Sequence, residues 1–221
     1  MTLLELVSSY GVFANMGVRA EPFTIRKITD SQGRILEQHL TEPQEVMRPE
    51  TASVLVNVMK GVIERGTGSK AKILGRPLAG KTGTTDDATD LWFVGFSPSL
   101  VAGVWLGYDV KRSLGSAETG GRLALPLWIA FMQKALAGTE PEDFPVPEGV
   151  VPVHVNHQTG RTPPPGDRDA VQEYVKEDEP KGAQATAGRH APAQDAPPPS
   201  SGSASPPASV VPIAPLKGSD R

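Results

Sequence analysis

Two apolar runs separated by only three residues constrain the fold of this chain most strongly. Residues 91–96 and 100–108 are rich in β-branched and aromatic side chains, and Ser97-Pro98-Ser99 connects them. A connection this short cannot carry the chain back for a parallel pairing, so the two strands must be antiparallel. The side chains that we expect in their shared core are Trp92, Phe93, Phe96, Val101, Val104 and Trp105.

The other elements surround this hairpin. Thr2 and Glu5 have the spacing of a capping box, which predicts a helix that begins there. In chain order we predict a helix over 2–15, a strand over 23–29, a turn over 30–33, its return over 34–37, a helix over 49–65, a strand around 80–85 and a helix over 123–136. Short connections between the strands indicate an α+β fold, with a mainly antiparallel sheet flanked by helices.

The composition changes along the chain. Eleven of the twelve aromatic residues lie at or before Phe144, and the sequence then turns to proline, alanine, serine and charged residues. Such a segment buries too little apolar surface to offset the entropy lost on ordering. We therefore predict one compact region over residues 1–150 and a disordered C-terminal tail over 151–221.

Charge and residue content exclude several functions. The net charge is only −3, which gives no broad basic surface for nucleic acid, and the absence of cysteine excludes disulfides and thiolate metal sites. His154 and His157 have no third ligand nearby, so we predict no metal and no cofactor. No apolar run reaches the roughly 20 residues of a membrane helix, and Met1 is not followed by a signal peptide. We expect neither an export signal nor an anchor in this chain.

Residues 78–85, Leu-Ala-Gly-Lys-Thr-Gly-Thr-Thr, hold the chemistry that decides the function. Lys-Thr-Gly is one element of the S-x-x-K, S-x-N, K-T-G set of serine acyltransferases and β-lactamases. Residues 75–82 also fit the P-loop pattern G-x-x-x-x-G-K-[ST], which requires a helix that opens at the Lys-Thr pair. Gly83, Thr84 and Thr85 follow instead and are poor helix formers, which favours a strand. A P-loop nucleotide-binding protein remains the alternative.

A strand here offers groups that suit a substrate carboxylate. Lys81 supplies a cation, while Thr82 and Thr84 supply hydroxyls on one face of the strand, so Lys81 must reach the site around the strand edge. Gly83 leaves room for a peptide backbone, and the Thr84 N–H is a candidate oxyanion donor. We predict catalytic roles for Lys81 and Thr84 and substrate contacts at Thr82, Gly83, Thr84 and Thr85.

Residues 1–150 resemble the C-terminal part of the transpeptidase domain of class A (bifunctional) penicillin-binding proteins. The segments that carry the resemblance, in order, are 2–6 (TLLEL), 12–17 (VFANMG), 61–68 (GVIERGTG), 78–85 (LAGKTGTT), 92–98 (WFVGFSP) and 120–122 (GGR). The resemblance implies an incomplete domain of the β-lactamase and penicillin-binding type. It also implies a peptidoglycan D,D-transpeptidase that binds D-alanyl-D-alanine stem peptides and β-lactam antibiotics.

The family's nucleophile is not recognisable in this sequence. Ser69-Lys70-Ala71-Lys72 fits S-x-x-K literally, but it lies just before Lys81 rather than far upstream of it, and no serine has asparagine two residues on. We expect both motifs upstream of Met1, in the other part of the domain, within a parent protein of the periplasm or inner membrane. We therefore predict that the chain alone is inactive. A non-catalytic peptidoglycan-binding module is a further alternative.

Overall fold

A computed structural model describes residues 1–177 of the chain. The helices are α1 (Leu3–Ala14), α2 (Pro49–Glu64) and α3 (Leu125–Ala135), with 3₁₀ turns at Ser69–Leu74 and Asp86–Ala88 and a π-turn at Gly120–Ala124. The strands are β1 (Val18–Arg19), β2 (Lys27–Thr29), β3 (Ile35–Gln38), β4 (Gln44–Glu45), β5 (Ala79–Thr84), β6 (Asp90–Phe96), β7 (Val101–Gly107), β8 (Val150–Asn156) and β9 (Ala170–Lys176). This mixture of helices and antiparallel strands confirms the α+β prediction.

Helix α1 begins with the predicted capping box. The Glu5 N–H donates to Thr2 Oγ1 over 3.2 Å, and the Thr2 N–H donates to Glu5 Oε2 over 2.7 Å. The helix ends at Ala14 with Asn15 as its C-cap, and Gly17 follows with a φ of +97°. A side chain at Gly17 would start 2.1 Å from the carbonyl oxygen of Met47, so this turn requires glycine.

The central sheet contains β5, β6 and β7 in that order, and all its pairs are antiparallel. Gly83 lies opposite Trp92, which in turn lies opposite Trp105. Strands β6 and β7 form the predicted antiparallel hairpin, but Phe96 pairs with Val101, so the connection has four residues rather than three. Within residues 1–177, no strand pairs with the outer edge of β5.

Helices cover both faces of the central sheet. On one face Phe93 packs against Trp128 of α3, edge to face, with ring centroids 5.0 Å apart. On the other face Phe96 packs against Tyr10 of α1 and against Phe144. The core prediction is confirmed for Phe93 and Phe96, which are fully buried, but it is wrong for Trp105, which is 36% exposed at the outer strand. Edge strands bury less of each side chain than central strands do.

The N-terminal hairpin is shorter than predicted. Strand β2 begins at Lys27 rather than at Phe23, and it pairs with β3 across the predicted turn. Asp30 holds that turn, because its Oδ1 accepts hydrogen bonds of 2.9 Å from the N–H groups of Gln32 and Arg34. Both strands are exposed, so few packing contacts stabilise this two-stranded ribbon. Strand pairing is therefore limited to the residues close to the turn.

The expectation of disorder is wrong for residues 151–176, which form a hairpin of β8 and β9. The hairpin is attached to α2, since the Glu173 carboxylate accepts hydrogen bonds from Asn57 and Arg65. The valines at 151, 153 and 155 alternate with other residues, which is a strand signal that the surrounding prolines outweighed. The remainder of the predicted tail, residues 178–221, lies outside the described residues.

Candidate functional site

Strand β5 presents its polar side chains on two faces. Thr82 and Thr84 lie on the face that also carries Phe93, whereas Lys81 lies on the opposite face. Lys81 and Thr84 are exposed, and Thr82 is half-buried. The stretch that contains K-T-G is therefore an edge strand whose polar groups are accessible.

The backbone of β5 also has a free side. The Thr85 N–H donates to the carbonyl oxygen of Asp90 over 3.1 Å, at the end of the pairing with β6. Because hydrogen-bonded and non-bonded pairs alternate in an antiparallel ladder, the N–H groups of Gly83 and Lys81 also face β6. The Thr84 N–H consequently points away from β6, toward the open edge, where it is available to an oxyanion.

The amine of Lys81 reaches this same edge. Its Nζ donates to the carbonyl oxygen of Thr82 over 2.9 Å, and by the same alternation that carbonyl faces away from β6. The long side chain thus passes from one face of the strand to its rim. The ammonium lies beside the backbone that carries the two threonine hydroxyls.

A glycine pair, Gly120 and Gly121, closes the site from the side of α3. The Gly120 N–H donates to Thr84 Oγ1 over 3.2 Å. A side chain at Gly120 would start 2.2 Å from the carbonyl oxygen of Trp92 and 2.6 Å from that of Gly83. The π-turn therefore lies directly against the paired backbones of β5 and β6, an approach that only glycine allows.

Thr67 is the site residue that sequence reasoning missed. Its Oγ1 lies 2.8 Å from Thr82 Oγ1, and either hydroxyl can be the donor. Thr67 belongs to the Gly-Thr-Gly turn between α2 and the first 3₁₀ turn. The glycines on either side of Thr67 indicate a turn in the sequence, but they do not indicate which strand that turn contacts.

Thr85 and Asp90 hold the turn that follows β5. Thr85 Oγ1 accepts from the Asp90 N–H over 2.8 Å and lies 2.9 Å from Thr89 Oγ1. The Asp90 carboxylate accepts from Trp105 Nε1–H over 2.9 Å, and this bond, together with weaker ones from Thr89 and Thr85, lowers the pKa of Asp90. The Thr85 hydroxyl is engaged in this network, which favours a supporting role for it over direct substrate contact.

The P-loop alternative lacks the structural context that it needs. Lys81 and Thr82 lie inside an antiparallel strand, with no helix opening after them, and a 3₁₀ turn rather than a buried parallel strand precedes the stretch. A phosphate loop depends on the N–H groups at a helix N-terminus. This arrangement offers no such cradle.

The literal S-x-x-K sequence is not arranged for nucleophilic catalysis. Ser69 begins the first 3₁₀ turn at an exposed position, and Lys72 Nζ donates to the carbonyl oxygen of Glu64 over 2.9 Å. An activated serine needs its base within hydrogen-bond reach. Here the amine of Lys72 is engaged with the end of α2 instead.

Taken together, the edge of β5 combines one ammonium, two hydroxyls and an outward N–H. Such donors suit a carboxylate, which accepts several hydrogen bonds and gains most from a charged donor. Residues 1–177 contain no group of three or more histidine, aspartate or glutamate side chains placed to hold a metal ion. Within the same part of the chain, no helix is both long and apolar enough to cross a membrane.

Comparison with known proteins gives matches over most of the described chain. The family model of the penicillin-binding protein transpeptidase domain matches residues 1–124. The chain is 48% identical over 157 residues to penicillin-binding protein 1A of Aquifex aeolicus, covering 71% of this chain and 22% of that protein. It is 42% identical over 157 residues to penicillin-binding protein 1A of Neisseria flavescens, covering 68% of this chain and 20% of that protein.

A solved structure resembles the fold as well. The crystal structure of penicillin-binding protein 1A from Haemophilus influenzae superimposes with a TM-score of 0.72 and 27% sequence identity. The match covers 80% of this chain and 32% of that one. The chain spans about a fifth of the length of the two curated relatives.

Proposed function

Because this chain belongs to the penicillin-binding protein transpeptidase domain family, we propose that it forms the substrate-carboxylate wall of a serine D,D-transpeptidase. The observation that carries the proposal is the open edge of β5, where the Lys81 amine lies beside the backbone that bears the Thr82 and Thr84 hydroxyls. The whole enzyme cross-links peptidoglycan stem peptides and is acylated by β-lactams. It acts in the periplasm, in the parent protein of the inner membrane.

Each residue of the edge has a distinct role in this proposal. Thr82 and Thr84 donate hydrogen bonds to the free carboxylate of D-alanyl-D-alanine, and Lys81 supplies the positive charge. The outward N–H of Thr84 donates to the oxyanion that develops when the penultimate carbonyl is attacked. Gly83 leaves the edge bare, so that the stem peptide can lie along it as an added strand.

The attacking serine is supplied by a part of the domain outside these 221 residues. Ser69 is a poor candidate because Lys72, its sequence-matched base, donates to Glu64 O instead. The segment with the family's S-x-x-K and S-x-N motifs is thus the principal protein partner of this chain. In this scheme the chain binds and orients the acyl donor, and the partner segment performs the attack.

Carboxylate recognition can be tested on the chain as it exists. We expect diacetyl-lysyl-D-alanyl-D-alanine to bind more tightly as the free acid than as the C-terminal amide, measured by NMR titration. Lys81→Met should weaken binding of the free acid at least about tenfold, because a hydrogen bond to a charged group contributes about 1.5–3 kcal/mol. Binding of the amide should change little.

Lys134→Met is the matched control, since Lys134 is an exposed lysine on α3 away from β5. It should leave the affinities for both peptides unchanged. Equal affinity of the wild-type chain for acid and amide would contradict the proposal, as would an equal effect of the two lysine substitutions.

A second prediction concerns acylation. The chain alone should acquire no covalent label from a fluorescent penicillin, because the amine of Lys72, the base that matches Ser69 in the sequence, is bonded to the carbonyl oxygen of Glu64 rather than to a serine hydroxyl. Fluorescence on a denaturing gel measures this directly. A label that resists denaturation and disappears in Ser69→Ala would instead identify Ser69 as the nucleophile.

A further inference from the structure

The hydroxyl of Thr67 occupies a position that the proposed function leaves unexplained. We propose that Thr67 is a positioning residue for carboxylate binding, which orients the hydroxyl of Thr82 toward the ligand. This inference rests on the proposed function, because it assigns a partner to one of the donors named there. Thr67 lies 15 residues before Thr82 and on a different element.

Hydrogen-bond accounting at the two hydroxyls supports the role. Each hydroxyl has one proton to donate and can accept two hydrogen bonds, and the oxygens are 2.8 Å apart. One proton is therefore used between the two oxygens, and the other remains free. When the Thr67 hydroxyl donates to Thr82 Oγ1, the Thr82 proton is left to point outward. The bond from Thr67 then polarises the Thr82 hydroxyl, so that it donates more strongly to a carboxylate.

The turn that carries Thr67 is held closely against its surroundings. The Gly68 N–H donates to the carbonyl oxygen of Val62 over 2.9 Å, which attaches the turn to α2. A side chain at Gly66 would start 2.9 Å from Val62 Cα, so the turn lies directly against the backbone at the end of α2. Thr67 is exposed, yet its backbone position is determined by α2.

The glycine pair beside β5 restrains Thr67 from the other direction. A side chain at Gly121 would start 3.0 Å from the carbonyl oxygen of Thr67 and 3.6 Å from Thr82 Cγ2. The turn, the strand and the glycine pair thus meet at one point. Both the backbone carbonyl and the hydroxyl of Thr82 have hydrogen-bond partners there, since Lys81 Nζ donates to the carbonyl oxygen and Thr67 contacts the hydroxyl.

The test measures binding of the same two peptides, the free acid and the amide, to variants substituted at Thr67. Thr67→Val keeps the shape but removes the hydroxyl, so binding of the free acid should weaken about three- to tenfold, the effect of one lost hydrogen bond. Binding of the amide should not change. Thr67→Ser restores the hydroxyl and should restore affinity for the acid, while Thr41→Val, at an exposed threonine away from β5, should alter neither.

A double-mutant cycle separates positioning from a merely structural role. In a Thr82→Val background, Thr67→Val should have no further effect on binding of the free acid, because the hydroxyl that it orients is already absent. Additive losses, or equal losses for acid and amide, would overturn the inference. Unchanged affinity of Thr67→Val for the acid would overturn it while leaving the proposed function intact, whereas a wild-type chain that does not distinguish acid from amide would overturn both.

Discussion

Replacing Trp128 by alanine should lower the free energy of unfolding by about 3–5 kcal/mol, the usual cost of removing a large buried aromatic side chain. Trp128 is fully buried and packs on Phe93 with ring centroids 5.0 Å apart. Its Nε1–H also donates to the carbonyl oxygen of Ala102 over 3.0 Å, so α3 loses both packing and a hydrogen bond to the sheet. Urea denaturation followed by far-ultraviolet circular dichroism measures the change.

Phe131→Ala is the matched control for this substitution. Phe131 is an aromatic residue on the same helix, but 52% of it is exposed, so little packing is lost. We expect a change below about 1 kcal/mol, as for other surface substitutions. If the two variants unfolded at the same urea concentration, the central role assigned to Trp128 in docking α3 would be wrong.

Gly120→Ala should impair both the fold and the site. The added methyl group would start 2.2 Å from the carbonyl oxygen of Trp92 and 2.6 Å from that of Gly83, and backbone atoms of a sheet cannot easily yield. The π-turn must move away, which breaks the hydrogen bond from the Gly120 N–H to Thr84 Oγ1. We expect a loss of about 1–3 kcal/mol in stability and affinity for the free-acid peptide that falls to that of the amide.

Gly11→Ala is the matched control, because it makes the same chemical change at a glycine where we expect stability to rise rather than fall. A side chain at Gly11 meets nothing within 4 Å, and alanine favours a helix interior over glycine by up to about 1 kcal/mol. This variant should be slightly more stable and should bind the peptides as the wild type does. Normal peptide binding by Gly120→Ala would show that the glycine pair is not needed to shape the edge of β5.

The family resemblance read from the ordered segments is confirmed by the domain match and by the relatives of the penicillin-binding protein 1A type. Several short motifs in a fixed order are far more specific than K-T-G alone, which also fits a phosphate loop. The prediction of a strand around residues 80–85 depended on poor helix formers after Lys81, and the folded chain has strand β5 at Ala79–Thr84.

The wrong expectation for residues 151–176 has a physical cause. Composition argues against a compact core over a long window, but a two-stranded hairpin needs only alternating side chains and one surface to pack on. That surface is α2, where Asn57 and Arg65 bind the Glu173 carboxylate. Nothing near Glu173 in the sequence indicates this contact, since Asn57 is 116 residues away.

What the sequence by itself determined is local: the capping box of α1, the antiparallel hairpin of β6 and β7, and the alternation that separates Lys81 from Thr82 and Thr84. These follow from bonds and steric limits among residues a few positions apart. Only the tertiary structure decided that Thr67 meets Thr82 across 15 residues and that Gly120 meets Thr84 across 36. Such contacts depend on how α2, α3 and the sheet pack, and no short stretch of sequence encodes that packing.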